Sequence, residues 1–429
     1  MADRHAHPTL PSEDPAAERP PSAERRAFLR RAGQAGAAMF LSGALGRVAG
    51  MAGLAVRPSK AAAQSEAAES YPGKEGLIVR SPRPVNIETP VPLLDAEITP
   101  TARHFVRNNG LIPQVDLASY RLTIDGEVGR TLELSLDDLR SRFPVTTQAA
   151  LIECGGNGRA SFEPKVRGNQ WDRGAIACAE WTGVRLRDVL NAAGLKASAV
   201  YLGHYGLDES LNPGRVERFS RGIPIDKALE PHTLIAFGMN GRPIPPEHGY
   251  PVRLVVPGWI GSASQKWLSR IWVRDRVHDS AKMSGSAYRV PAYPVAPGAK
   301  VPKSDLVIAT AWQIKSLITH PAEGAALRAG SPVEIRGSAW AGEDRVTKVE
   351  LSFDHGRHWT VVNRLHEQRS KYAWHRWDFQ WTPPAAGYYE LWARAWDQNG
   401  NTQPPIQPWN PKGYLGNVIH RVGVQAAGA

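Results

Sequence analysis

Residues 288–305 read YRVPAYPVAPGAKVPKSD, with four prolines and little apolar periodicity, and the chain has a different texture on either side of them. Proline fixes φ and removes a backbone donor, so such a run neither continues a helix nor fills a central strand. It reads as a linker between two bodies, each of which must bury a core of its own. With 429 residues, 42% apolar and 22% charged, the chain has material for both.

Upstream of the linker, strands and short helices mix without a regular βαβ rhythm. Residues 120–128 alternate in strand fashion up to a turn at Asp125-Gly126. Residues 134–140 are expected as a short helix capped at Ser135, and Leu186–Ala193 as a second closed by Gly194. Further strands are expected at 199–202 and 251–256, and the Pro-rich stretch from 73 to about 103 reads as an extended strap. The fold class is α+β for residues 64–305. Downstream, residues 333–337, 346–353, 374–381 and 388–396 alternate at period two, with turn residues at Asp354-His-Gly and Asn399-Gly400. This predicts an immunoglobulin-like β-sandwich over 306–429, with Trp374, Trp377, Trp381, Trp392 and Trp396 as core and interface residues.

The first 63 residues stand apart, with ERRAFLR at 24–30, a weakly apolar stretch over 32–55 and a small-residue cleavage sequence at 61–64. This pattern predicts a twin-arginine export signal and a periplasmic protein. The apolar stretch carries Gln34, Ser42 and Arg47, and a charge at mid-helix costs about 2.5–3.5 kcal/mol, which argues against a membrane anchor. The segment holds nine of the basic and five of the acidic residues, so 43 basic and 36 acidic remain and the rest of the chain stays basic. No Lys/Arg run or RNA-type aromatic motif accompanies that charge, so an anionic substrate or acidic partner is expected rather than nucleic acid.

Only two cysteines occur, Cys154 and Cys178. In an oxidising compartment they could pair as a disulfide. Cys154, however, lies in ECGGNGR, residues 153–159. That loop lacks the Lys-Ser/Thr of a phosphate loop and the spacing of GxGxxG. A thiol among glycines with Arg159 close by is suited to the thiolate form that soft metals bind. A cysteine nucleophile with a histidine base has no local signature here. CxxCH, CxxC and HExxH do not occur, so neither a c-type haem nor a zinc motif is present.

Taken in order, FVRN at 105–108, ECGGNGR, RGNQW at 167–171, GAI at 174–176, EWTGV at 180–184, SRGIP at 220–224, MNGRPIPPEHG at 239–249 and PVRLVVPG at 251–258 resemble the sulfite oxidase family of molybdenum-pterin enzymes. GYYELW at 387–392 and WNPKGYL at 409–415 extend the resemblance to the C-terminal end. Within the family, the likeness is to the sulfane dehydrogenase (SoxC) branch.

The resemblance implies that Cys154 is the one protein ligand to molybdenum, with molybdopterin supplying the other sulfurs, and that Cys178 is a packing residue. It places the cofactor against Phe105, Arg107, Asn109, Asp208, His248, Arg253, Ser264, Gln265 and Lys266. It places the substrate among Arg107, Arg159, Arg167, Trp171 and Tyr288, with Lys371 of the sandwich as a further candidate. Sulfite is largely a dianion near neutral pH, and each close guanidinium is worth about 4 kcal/mol at an effective dielectric of 20. Asn109 stands where animal sulfite oxidases place a His and Gly158 where they place an Arg, which implies a more open loop and a bulkier substrate.

The implied reaction is oxygen-atom transfer to sulfur, with sulfane sulfur on a carrier protein as substrate and a c-type cytochrome subunit as acceptor. Oxidation of free sulfite is the alternative. A scaffold role without a metal is a third reading, set against the presence of Cys154, Arg159, His248 and Arg253. The sandwich resembles the family's dimerisation domain and implies a homodimer.

Overall fold

Residues 71–211 and 218–428 are described by the computed structural model of the chain. The export signal expected in residues 1–63 lies outside the described residues.

The helices of the first domain form where their capping residues stand. Ser135 caps Leu136–Arg142 by accepting from the Asp138 N–H, while the Asp138 carboxylate accepts from the Ser135 N–H in return. Leu186–Ala193 turns Leu186, Val189, Leu190 and Ala193 inward and stops at Gly194, whose φ of +75° suits a residue without a Cβ. Two five-stranded sheets share this domain. One is built on Val145–Glu153, Ile176–Arg185 and Leu234–Met239, the other on Leu122–Gly126, Leu268–Arg274 and Tyr201–Gly206. Only the pairing of Leu268–Arg274 with Leu122–Gly126 is parallel in the second sheet.

Val145–Glu153 determines where the site falls. Its first four residues alternate in exposure, and its last five are all buried, because both faces of the strand become covered. Ala150 and Ile152 face a cluster of first-domain residues that also takes in Tyr372. Ala149 and Leu151 face another that takes in Leu317, Trp340 and Trp374 of the sandwich. The two domains therefore share a core along this strand. Cys178, opposite Leu151 in the ladder, is buried in the shared core, and both cysteines are free thiols.

The sandwich consists of a four-stranded and a five-stranded sheet. Ile318, Ile335, Val349, Trp377, Leu391 and Val422 fill the space between them. The turn at Asp354-His-Gly is present, with His355 and Gly356 at φ of +61° and +82°. Trp381 stacks on Phe353 at 4.7 Å, whereas Trp374 lies in the shared core.

Two expectations are corrected. The strap is not uniformly extended: Ile78–Pro82 and Val85–Glu88 form a hairpin, to which Val106–Arg107 adds a third strand. The linker is tied at both ends, since Arg289–Pro291 pairs antiparallel with Leu306–Ile308. Pro294, Pro297 and Pro302 fall in the loop between those two strands, where a missing N–H costs nothing.

Candidate functional site

Cys154 follows the last residue of Val145–Glu153 and is half-buried. Its N–H donates to the Ala175 carbonyl at 2.9 Å and its carbonyl accepts from the Asn157 N–H at 2.9 Å, so the backbone on either side of the thiol is fixed. The glycines after it serve local packing. A Cβ on Gly156 would stand 2.3 Å from the Arg159 guanidinium, and Gly158 has a φ of +84°.

The Cys154 side of the loop borders a cleft, a cavity open to solvent on one side. Phe105, Arg107, Asn109, Asp208, His248, Arg253, Ser264, Gln265, Lys266 and Tyr288, all expected at the site, line it together with Cys154. The strap brings Arg107 and Asn109, whose side chains bond to each other at 3.0 Å. The amide of Asn109 in turn donates to the Tyr288 hydroxyl at 3.1 Å, which places the phenol at the head of the linker against the strap. Arg253 is buried, donates to the carbonyls of His248 at 2.7 Å and Ser264 at 3.0 Å, and lies 4.8 Å from the Trp181 ring centre. Lys266 donates to the Glu247 carbonyl at 2.8 Å and to the Asn108 side chain.

This wall gathers like charges in a place poor in water. Burial lowers the pKa of Arg253 to about 9. Burial, and then the neighbouring Arg253, hold Lys266 well below the usual lysine value. His248 is kept neutral by burial and by Lys74 beside it. Opposite in sign, Asp208 is pushed up to about 6 by burial, against the pull of Lys266. Cations that disfavour one another in isolation are stabilised by a bound anion, so the wall is complementary to phosphate.

Two groups that the sequence did not single out belong to the same wall. His104 lines the cavity, is fully buried, and has its pKa lowered to about 3 by burial. Lys74, from the strap, donates to His248 Nε2 at 2.8 Å and to the carbonyls of Thr101 and His104 at 2.6 and 3.0 Å. With its Nε2 accepting, the neutral His248 ring carries its proton on Nδ1. The only sequence signal for His104 is its place directly before FVRN; Lys74 has none.

Other expected residues lie elsewhere. Arg159 is buried outside the cavity lining, bonded to the carbonyls of Asn169 at 3.0 Å and Lys412 at 3.2 Å. It reaches the site indirectly: its guanidinium lies 5.1 Å from the Tyr414 ring centre, and Tyr414 stacks on Tyr288 at 5.5 Å. Arg167 is exposed, and Trp171 is fully buried among Phe105, Ala150 and Trp181 rather than forming a cavity wall. Lys371 is exposed, 3.8 Å from Glu230. Gly158 does not open the cavity, since a Cβ there would find the Gly416 carbonyl at 3.5 Å.

The residues present suit a pterin with a phosphate tail. His104 Nε2, Asp208 Oδ1, Ser262 Oγ and Gln265 Oε1 are buried atoms on lining residues with no hydrogen-bond partner among the described residues, a supply of donors and acceptors for a polar ring edge. Among the described residues no group of three or more His, Cys, Asp and Glu is arranged to hold a metal, and Cys154 is the one thiol on the cavity lining.

Residues 109–282 match the oxidoreductase molybdopterin binding domain, and residues 307–427 the Mo-co oxidoreductase dimerisation domain. The chain is 37% identical to the sulfite oxidase of Gallus gallus over 382 residues, 85% of this chain and 81% of that one. It is 36% identical to the mitochondrial sulfite oxidase of Homo sapiens over 368 residues, 81% of this chain and 65% of the human protein. Among solved structures, the sulfane dehydrogenase SoxCD from Paracoccus pantotrophus is similar with a TM-score of 0.69 and 31% identity, over 80% of this chain and 85% of that one. Fold and site together define a molybdopterin-binding oxidoreductase. More narrowly, the chain belongs to the sulfite oxidase family.

Proposed function

We propose that the chain is the molybdenum subunit of a periplasmic dehydrogenase that oxidises sulfane sulfur borne on a carrier protein and passes the electrons to a c-type cytochrome subunit. The observation that carries the chemistry is the meeting of one half-buried thiol, Cys154, with the cationic wall of Arg107, Arg253 and Lys266 on a single cavity. When bound, molybdopterin supplies two-electron redox chemistry and oxygen-atom transfer to sulfur. Cys154 holds the metal as a thiolate, a ligand matched to a polarisable ion. Arg253, Lys266 and the Nδ1–H of His248 hold the phosphate end. Arg107 attracts the substrate anion, and Tyr288, oriented by Asn109 at 3.1 Å, donates from its hydroxyl.

The choice of sulfane sulfur is supported by the likeness to SoxCD over most of both chains. The export signal expected at residues 1–63 favours the periplasm, and the lack of CxxCH in the sequence favours an acceptor on another chain. The match of 307–427 to a dimerisation domain supports a homodimer. A second reading, oxidation of free sulfite, is favoured by the 37% identity to the chicken enzyme. Steady-state reduction of cytochrome c is the test, with free sulfite and with sulfane on a carrier thiol supplied to the same preparation. Turnover with the carrier-bound sulfur and little with sulfite is expected. Rapid turnover of sulfite alone replaces the first reading by the second.

A further inference from the structure

Glu153, the residue before Cys154, is 1% exposed, a carboxylate where an unpaired charge would be costly. Its partners come from both domains. Asn157 donates to Oε1 at 3.0 Å, Trp340 Nε1 donates to Oε2 at 3.0 Å, and the Lys315 ammonium forms an ion pair with Oε1. Lys315 and Trp340 stand on Lys315–His320 and Val333–Trp340 of the sandwich, directly opposite each other in that ladder.

Asn157 relays this arrangement to the thiol. Its Oδ1 accepts from the Ala175 N–H at 3.0 Å, and the Ala175 carbonyl accepts from the Cys154 N–H at 2.9 Å. The Asn157 N–H closes the ring on the Cys154 carbonyl at 2.9 Å. Both backbone polar groups of residue 154 are thus held by two residues whose positions depend on the Glu153 carboxylate.

We propose that Lys315 and Trp340 are positioning residues for Cys154: the sandwich aims the thiol at the cavity through Glu153 and Asn157. The idea gives the second domain a role at the site distinct from dimerisation, and it rests on the proposed function only in taking Cys154 as the metal ligand. Removing Lys315 alone leaves a buried carboxylate with neutral donors, so Glu153 must move toward water or draw Asn157 with it, and either motion releases the Cys154 loop. Neutralising Glu153 at the same time removes that pull while keeping an amide oxygen for Asn157 and Trp340.

The full chain is prepared as wild type, Lys315→Met, Lys315→Arg, Trp340→Phe and the double variant Glu153→Gln/Lys315→Met. The rate of alkylation by iodoacetamide is measured on cofactor-free protein, and molybdenum per chain with the thiolate-to-metal absorption band on loaded protein. Cys178 is fully buried and its thiol is pushed up to about 12 by burial, so Cys154 is the thiol that reports. In Lys315→Met the alkylation rate is expected to rise about fivefold or more, and the absorption band to shift, at unchanged far-ultraviolet circular dichroism. Lys315→Arg and the double variant return both readouts toward wild type, and Trp340→Phe moves them in the same direction by less. Equal rates in wild type, Lys315→Met and Trp340→Phe overturn the proposal. Should Lys315→Met fail to fold, Trp340→Phe alone decides it by the same criterion. If alkylation rises in Lys315→Met while the wild type binds no molybdenum, the cofactor reading is overturned instead, so the two failures are distinguishable.

Discussion

Cys154 is where chemistry and local geometry meet, and it gives the simplest prediction at the residue scale. Cys154→Ser nearly keeps the volume and keeps the backbone bonds to Ala175 and Asn157, but replaces the thiol proposed as a soft metal ligand by a hard, protonated hydroxyl. Turnover in the cytochrome c reduction assay is expected to fall by about a thousandfold or more at an unchanged unfolding midpoint, as checked by steady-state kinetics and calorimetry. Tyr288→Phe removes a hydroxyl held by Asn109 at 3.1 Å. It is expected to raise KM about three- to tenfold with a smaller effect on kcat, the pattern of a lost binding contact. Cys154, His248 and Arg253, which line the cavity, were legible because each sits in a motif whose order along the chain is itself informative, whereas Lys266 lies outside those motifs and came from the resemblance alone. Arg167 and Trp171 do not line the cavity, because in the loop after Arg159 turns and packing against Phe105 and Trp181, rather than any period, decide which way a side chain points. Lys74 was illegible for a different reason: its partner His248 lies 174 positions away.

At the scale of elements, patterning located structure wherever one face was wet. The two helices fall where capping and apolar spacing put them. The strand expected at 199–202 begins at Tyr201 and runs on to Gly206, because Gly203 and Gly206 hide the alternation. Their missing side chains make room for neighbours: a Cβ on Gly203 would be 2.5 Å from His278, and one on Gly206 2.4 Å from Gln265. The strap shows the same logic with a functional result. A Cβ on Gly110 would fall 2.2 Å from the Glu209 carbonyl, which accepts from the Leu111 N–H at 3.0 Å, and the strap then brings Asn109 and Arg107 into the cavity. Gly110→Ala is expected to destabilise the chain by about 1–3 kcal/mol. Cofactor should be lost with it, seen as a lower unfolding midpoint and fewer pterins per chain after gel filtration.

Over the whole molecule, the shared core around Leu151, Cys178, Leu317, Trp340 and Trp374 joins the two domains, so they should unfold together. Whatever titrates in either domain then acts on one transition. His104, His204 and His248 lie in the first domain and His420 in the sandwich, all buried. Burial lowers the pKa of each, to about 3 for His104 and His204. In the unfolded chain each titrates near 6.5. Between that value and the folded one, the unfolded chain binds protons that the native chain does not, so stability rises with pH through this window and is lost as pH falls below about 6.5. Asp208 works against this trend: its folded value of about 6 is raised, so its contribution falls as pH rises from about 4 to 6. Burial raises the pKa of the Glu88 carboxyl as well, and it lowers that of His278 to about 4, so two carboxyls stand against five buried imidazoles and the net slope follows the histidines. The unfolding midpoint of the full chain should therefore drop by about 5 °C or more between pH 7 and pH 5, as a single calorimetric transition that coincides with loss of near-ultraviolet circular dichroism. His420 accepts from the Ile318 N–H at 2.9 Å, a contact that the amide oxygen of His420→Gln could keep. That variant should flatten the acid slope by about one proton's worth while the transition stays single. A midpoint independent of pH over this range would mean that the buried imidazoles take up protons in the native state, and two separated transitions would mean that the shared core does not couple the domains.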